Sequence, residues 1–184
     1  DESNTLFSVI NHCSTAMGSR LLKRWLNQPL SDKSKISERH DCLQDMQDYY
    51  IAENASEQLK AVGDMERILG RIALRSARPR DLTRLQQSLA ALPELQNLTA
   101  ATQSPLLKRL KTAISSFPET DALLQKAIVE NPPVVIRDGG VIATGFDAEL
   151  DELRAISQNA GDYLVRLETQ EKERTGISTL KVGY

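Results

Sequence analysis

The chain has 184 residues, 40% hydrophobic and 26% charged, a composition that excludes bulk disorder and is long enough for one domain or two small ones. A net charge of −2 excludes a general polycation, and no run of about 18 apolar residues could cross a membrane. Leu, Ala and Gln are abundant and aromatic residues make up only 4%, which favours a mainly helical protein. Two cysteines and an opening Asp-Glu-Ser-Asn-Thr without a basic, apolar leader point to a reduced, cytoplasmic setting.

The first predicted helix covers residues 15–26, capped by Ser14 or Thr15, with Met17, Leu21, Leu22 and Trp25 as its apolar set. Gly18 inside it implies close packing against a neighbour. Pro29 follows its end. If Trp25 is core, its replacement by Ala costs roughly 3–5 kcal/mol. A second helix starts at Ser31 or Asp32 and runs to about Asn54, with Ile36, Leu43, Met46 and Tyr50 as its stripe. A short turn of helix follows over residues 56–62.

Residues 64–75 read as a helix capped by Asp64, with Met65, Ile68, Leu69 and Ile72 on one face. Arg78-Pro79-Arg80-Asp81 breaks it. The next helix carries Leu82, Leu85, Leu89 and Leu92, and Pro93 kinks or ends it. Ser104-Pro105 and Pro118 open two further helices. Val134 to Ala143, with Asp138-Gly139 between apolar runs, spells a small β-hairpin. One long helix then covers residues 147–175, about 43 Å at 1.5 Å per residue. Gly176 closes it, and residues 180–184 alternate like the start of a strand. That truncated strand is expected to continue in a larger protein.

Chemical motifs are few. The sequence has neither a G-x-x-x-x-G-K-[ST] phosphate loop nor a G-x-G-x-x-G turn. His12-Cys13 and His40-x-Cys42 offer soft ligands, but an adjacent pair and an i, i+2 pair cannot easily aim at one zinc ion or form a Cys–His nucleophile. Asp147, Asp151 and Arg154 share a helical face and read as solvated ion pairs. Arg67, Arg71, Arg75, Arg78, Arg80 and Arg84 put six arginines within eighteen residues. Such a run can contact DNA phosphates or build ion pairs between helices. The interspersed Asp64, Glu66 and Asp81 favour ion pairing. The long helix holds eight acids against four bases, which a phosphate backbone would repel. The residues thus describe a mainly α, irregular multi-helix bundle with one long helix and a small hairpin, lacking a catalytic or metal-binding set.

Three strings carry a resemblance. They are Thr15-Ala-Met-Gly-Ser-Arg-Leu-Leu-Lys-Arg-Trp-Leu-Asn-Gln-Pro-Leu30, the run from Asp64 to Leu82, and Arg137-Asp-Gly-Gly-Val-Ile-Ala followed by Glu149 to Arg154 and Thr175 to Tyr184. In that order they resemble the core, or lever, domain of the bacterial MutS mismatch-repair family. The resemblance implies a core body at residues 1–146, a lever helix at 147–175 and a lead into the clamp domain at 176–184. It implies that Gly18, Arg20, Trp25, Pro29, Pro79 and Asp81 shape the packed body. It also implies that the full-length protein is an ATPase that uses ATP and magnesium, forms a homodimer and binds mismatched double-stranded DNA. In such proteins an N-terminal domain reads the mismatch through a Phe-x-Glu wedge, and a C-terminal domain handles ATP. No cofactor is then expected in this segment, whose partners would be the other MutS domains. A direct, non-specific DNA-backbone module built on residues 67–84 is the alternative.

Overall fold

A computed structural model describes residues 4–98 and 102–181. The chain divides into two units, Asp1–Val141 and Ile142–Tyr184. The first contains α1 (Leu6–Ile10), α2 (Ala16–Asn27), α3 (Lys33–Asp48), α4 (Ile51–Ala61), α5 (Met65–Ala73), α6 (Pro79–Leu98), α7 (Pro105–Ala113) and α8 (Pro118–Ala127). The second contains α9 (Ala148–Gln158) and α10 (Ala160–Thr175). The mainly helical architecture agrees with the sequence, and no strand forms among the described residues.

Capping residues set most of the helix starts. Thr15 receives the Gly18 N–H, Asp32 those of Ser34 and Lys35, Asp64 that of Arg67, and Ser104 that of Leu107. Each satisfies a donor that the first helical turn leaves without a partner. α1 is an additional element, held by a reciprocal Thr5–Ser8 capping box.

In the first unit α4, α5 and α8 pack on α6. Three small buried clusters do the work: Cys42, Ile51 and Leu107; Val62, Ala91 and Leu95; and Ile68, Leu85 and Leu89. Pro93 neither ends nor replaces this helix; α6 runs through it to Leu98. An interior proline costs about 3 kcal/mol. Burial of Leu89, Ala91 and Leu95 on either side offsets that cost, at roughly 1.5–3 kcal/mol per large side chain.

The predicted second helix is divided four residues before its expected end. Tyr50 adopts φ +53, closes α3 with its N–H on the Gln47 carbonyl, and precedes buried Ile51 of α4. This turn lets α3 and α4 pack side by side. On α3 it is Cys42, not Leu43, that is buried. Asp45 ties α3 to the approach of α7: one oxygen accepts from the Thr102 hydroxyl and from the amides of Gln103 and Ser104, the latter two at 2.7 and 2.6 Å. Those donors hold its carboxyl below the ordinary range, the Thr102 hydroxyl most strongly.

Four further expectations are corrected. The hairpin at 134–143 is absent. A two-residue turn on Asp138-Gly139 needs positive φ at both, but Asp138 completes a 3-10 turn, Ile136–Asp138, and the positive angles fall on Gly139 and Gly140. Among the described residues a single bridging bond remains there, from the Val129 N–H to the Val141 carbonyl at 3.0 Å. The lever helix is two helices, interrupted at Asn159 with φ −108 and ψ 28. Asn159 still donates to the Ala155 carbonyl and accepts from Tyr163 N–H, so the ladder bends rather than stops. Asn and Gly161 are weak helix formers, which puts the bend there. At the C-terminal strand, Leu180 and Lys181 are irregular, while Val182, Gly183 and Tyr184 lie outside the described residues.

Trp25 is the fourth. It is 43% exposed, and α2 buries no residue fully. The guanidinium of Arg39 lies 3.9 Å over its ring and joins the end of α2 to α3. Gly18 does not accommodate a neighbouring helix either: the atoms nearest a Cβ there belong to Thr15 and Cys13 of its own preceding turn. Urea denaturation should therefore rank Ile68→Ala, at 2% exposure, above Trp25→Ala. About 3 kcal/mol is expected for the former and about 1–2 kcal/mol for the latter. The opposite order would return Trp25 to the core.

Candidate functional site

Of the residues singled out from sequence, Arg20, Arg67, Arg71 and Asp81 meet around α5. Asp64, just before this helix, uses both carboxylate oxygens. Arg20 of α2 grips it with two nitrogens at 2.6 and 2.7 Å and reaches Glu66 at 2.6 Å. Asp64 also caps the Arg67 amide and lies 3.5 Å from the Arg67 guanidinium. At the far end, Asp81 receives Arg71 through Nε at 2.8 Å and Nη2 at 2.6 Å, and the Arg78 N–H at 2.9 Å. Forked pairs of this geometry fix direction as well as distance. One aspartate thus ties α5 to α2, and the other ties it to the start of α6, where buried Pro79 is the first residue.

A third tie starts one residue before Asp64. The Gly63 N–H donates to Ser88 Oγ at 2.8 Å, and that hydroxyl donates to the Arg84 carbonyl at 2.7 Å. Ser88 is fully buried. The Arg84 guanidinium crosses over Gly63 to the Lys60 carbonyl, 3.0 Å away. A Cβ on Gly63 would stand 2.6 Å from Arg84 Cγ, so only glycine admits this crossing. Arg80 donates to the Pro132 carbonyl at 3.3 Å.

The arginine run therefore divides by function. Arg71, Arg80 and Arg84 are engaged in internal bonds, and Arg67 is partly so. Arg75 and Arg78 expose their side chains and form no close ion pair among the described residues, although the Arg78 charge helps to hold the Asp81 carboxyl low. Pro29 is exposed beyond the end of α2. Sequence reasoning did not identify Gly63, Ser88 or Asp45. The Val-Gly-Asp run before α5 was the available signal for Gly63; Ser88 and Asp45 look like ordinary helical polar residues until their partners are placed.

The other candidates fall elsewhere. Among the described residues no group of three or more His, Cys, Asp or Glu side chains is placed to hold a metal ion. Cys42 is buried and its thiol is pushed up by burial, the reverse of an activated nucleophile; Cys13 is exposed. Asp147 caps α9 through the Leu150 amide, and Asp151 accepts from Gly145 N–H at 2.6 Å and pairs with Arg154 at 3.5 Å. Arg154 in turn donates to the Ile142 carbonyl. These contacts pin the loop before α9. Phe117-Pro118-Glu119 does spell Phe-x-Glu, but it forms the entry of α8, with Pro118 in the first turn. A cleft of about 340 Å3 between α6 and α8 is lined mainly by Thr83, Gln86, Gln87, Leu124 and Gln125, with Glu130 its only formal charge.

A family model described as MutS domain III matches residues 1–175. The chain belongs to the MutS family as a core/lever-type segment, and that family places it in DNA mismatch repair. Domain III is a non-catalytic core domain of MutS.

Both aspartates have carboxyls held below the ordinary value of 3.8, first by the side-chain bonds of Arg20 and Arg71 respectively. A depressed native pKa favours the folded state above the unfolded pKa, and this contribution is lost as pH falls through the native value. Acid titration should therefore unfold the chain progressively below about pH 4. Asp81→Asn should lower the neutral-pH urea midpoint and flatten that acid limb, whereas Asp138→Asn, 4.0 Å from exposed Arg137, should do neither.

Proposed function

We propose that this segment is a transmission element, coupling the ATP state of the complete MutS protein to how its clamp holds mismatched DNA. The carrying observation is that α5 is strapped at both ends by forked arginine–aspartate pairs to α2 and α6. Such a body moves as a piece instead of yielding locally, as coupling between distant sites requires.

The second unit supplies the arm. Lys172 and Glu168 pair at 2.6 Å, and Arg174 and Glu171 at 2.7 Å, so the solvated faces of α10 are internally compensated. The bend at Asn159 gives the arm one preferred place to flex. ATP with magnesium, the mismatch-reading domain and a second subunit belong, in this reading, to the complete protein. Among the described residues no helix is long and apolar enough to cross a membrane.

A second reading retains one observation: the exposed heads of Arg75 and Arg78 could meet DNA phosphates. Fluorescence anisotropy of a labelled duplex separates the two. At about 50 mM salt, where phosphate contacts are strongest, the chain should bind neither a mismatched nor a fully paired duplex. Equal, salt-sensitive binding to both would favour the backbone-binding module. A preference for the mismatch would defeat the transmission role, because recognition would then lie within this segment.

A further inference from the structure

α7 rests on the first unit through one apolar side chain and a set of polar clasps. Leu107 is its only buried residue, 4% exposed, and it packs with Cys42 of α3 and Ile51 of α4. Lys108, Arg109, Leu110, Thr112 and Ala113 are exposed. A helix that buries so little apolar surface belongs to the weakly held part of a fold, and its polar contacts decide whether it stays in place.

Those contacts lie along one face of α3. Glu38, Cys42 and Asp45 stand at spacings of four and three, so they share that face. Asp45 takes the chain just before α7 through Thr102, Gln103 and Ser104, and Glu38 takes Arg109 at 2.6 Å. α7 therefore runs antiparallel to α3 and passes over Cys42. The two clasps differ in weight. The Arg109 side chain is 59% exposed, so water competes for its pair. Thr102 and Ser104 are buried, and one Asp45 oxygen accepts from both as well as from Gln103. Ser104 in turn caps α7 through the Leu107 amide and lies within bonding reach of the Cys42 thiol. At the far end the Gln96 amide of α6 donates to the Lys111 and Ile114 carbonyls, at 3.3 and 3.0 Å. Release of the Asp45 end would leave that end tethered.

We infer that α7 is a lid over Cys42. It lifts from α3 about the Gln96 tether while the rest of the first unit stays folded, and the Asp45 carboxylate is the clasp that holds it shut. Lifting takes Leu107 and Ser104 away from the thiol and opens it to solvent. This inference needs nothing outside the chain, so it stands apart from the transmission reading and would survive its failure.

The readout is the reaction of Cys42 with dithionitrobenzoate in the full chain carrying Cys13→Ser, which removes the exposed second thiol. The Cys42 thiolate attacks the reagent's disulfide, a mixed disulfide forms on the protein, and one coloured thionitrobenzoate leaves. Labelling should be slow, and its rate should change little with urea well below the unfolding midpoint, because a local opening exposes little new surface. Asp45→Asn should speed it about tenfold or more, since bonds to a charged acceptor are lost. Thr102→Val removes one of the donors and keeps the side-chain shape, so it should give a smaller rise. Ile68→Ala weakens a different core cluster and leaves the contacts of α7 intact, so it should not change the low-urea rate. Labelling that occurs only on global unfolding would reverse this pattern. Ile68→Ala would then speed the reaction at least as much as Asp45→Asn, and the rate would follow urea with the slope of global unfolding. Either result would overturn the lid, as would a rate that neither Asp45→Asn nor Thr102→Val raises.

Discussion

Two aspartates hold α5 in place, and most of the first unit depends on that arrangement. Asp64 has four donors on its two oxygens: two nitrogens of Arg20, the Arg67 amide and, more distantly, the Arg67 guanidinium. Asp81 repeats the arrangement at the other end with Arg71 and the Arg78 amide. Their side chains are 19% and 17% exposed, so solvent competes less than at an open surface pair. Removing Asp81 would leave the half-buried Arg71 guanidinium without its carboxylate, the expensive way to lose an ion pair, whereas Arg20 would keep Glu66 if Asp64 were lost. The buried Ser88 hydroxyl then fixes α6 against Gly63, one residue ahead of Asp64. Helix start, interhelix ion pair and glycine crossing all fall within two consecutive residues.

This concentration explains what was legible in the sequence. Caps are local: Thr15, Asp32, Asp64, Ser104 and Asp147 each act on an amide two or three residues away, and each could be read from the chain. The arginine–acid alternation around α5 was equally readable as ion pairing, though not which arginine meets which acid. Features set by distant contacts were not readable. Tyr50 takes a left-handed conformation because α3 and α4 pack together, and no residue type at 49–51 announces it. Pro93 stays helical because leucines on both sides are buried by other helices. The apolar pattern at 134–142 spelled strands, yet Val134 and Ile136 remain exposed and nothing pays them to pair.

Trp25 shows the same limit from the other direction. A lone tryptophan in a helical stripe ordinarily reads as core. Here its ring is a platform for Arg39, and its exposed half is continuous with the open side of α2, where Leu21 and Leu26 are also accessible. Apolar periodicity locates a face; it does not say whether that face meets its own chain. α2 and α5 both carry strong stripes that the first unit only partly covers. For a core segment of a multidomain family this is physically coherent, since a stripe uncovered within one segment remains available for contact with another body.

Arg75 turns that coherence into a constraint. A glycine would close α5 without strain, and an arginine at this position is disfavoured by its own backbone and unrewarded by the described side chains. Ion pairing within the segment cannot explain it, because Asp64 and Asp81 are saturated by Arg20, Arg67 and Arg71. Helix capping cannot explain it, because the closure uses only main-chain atoms. The straps thus place the strained Arg75 at the end of a helix that is held to α2 at one end and to α6 at the other.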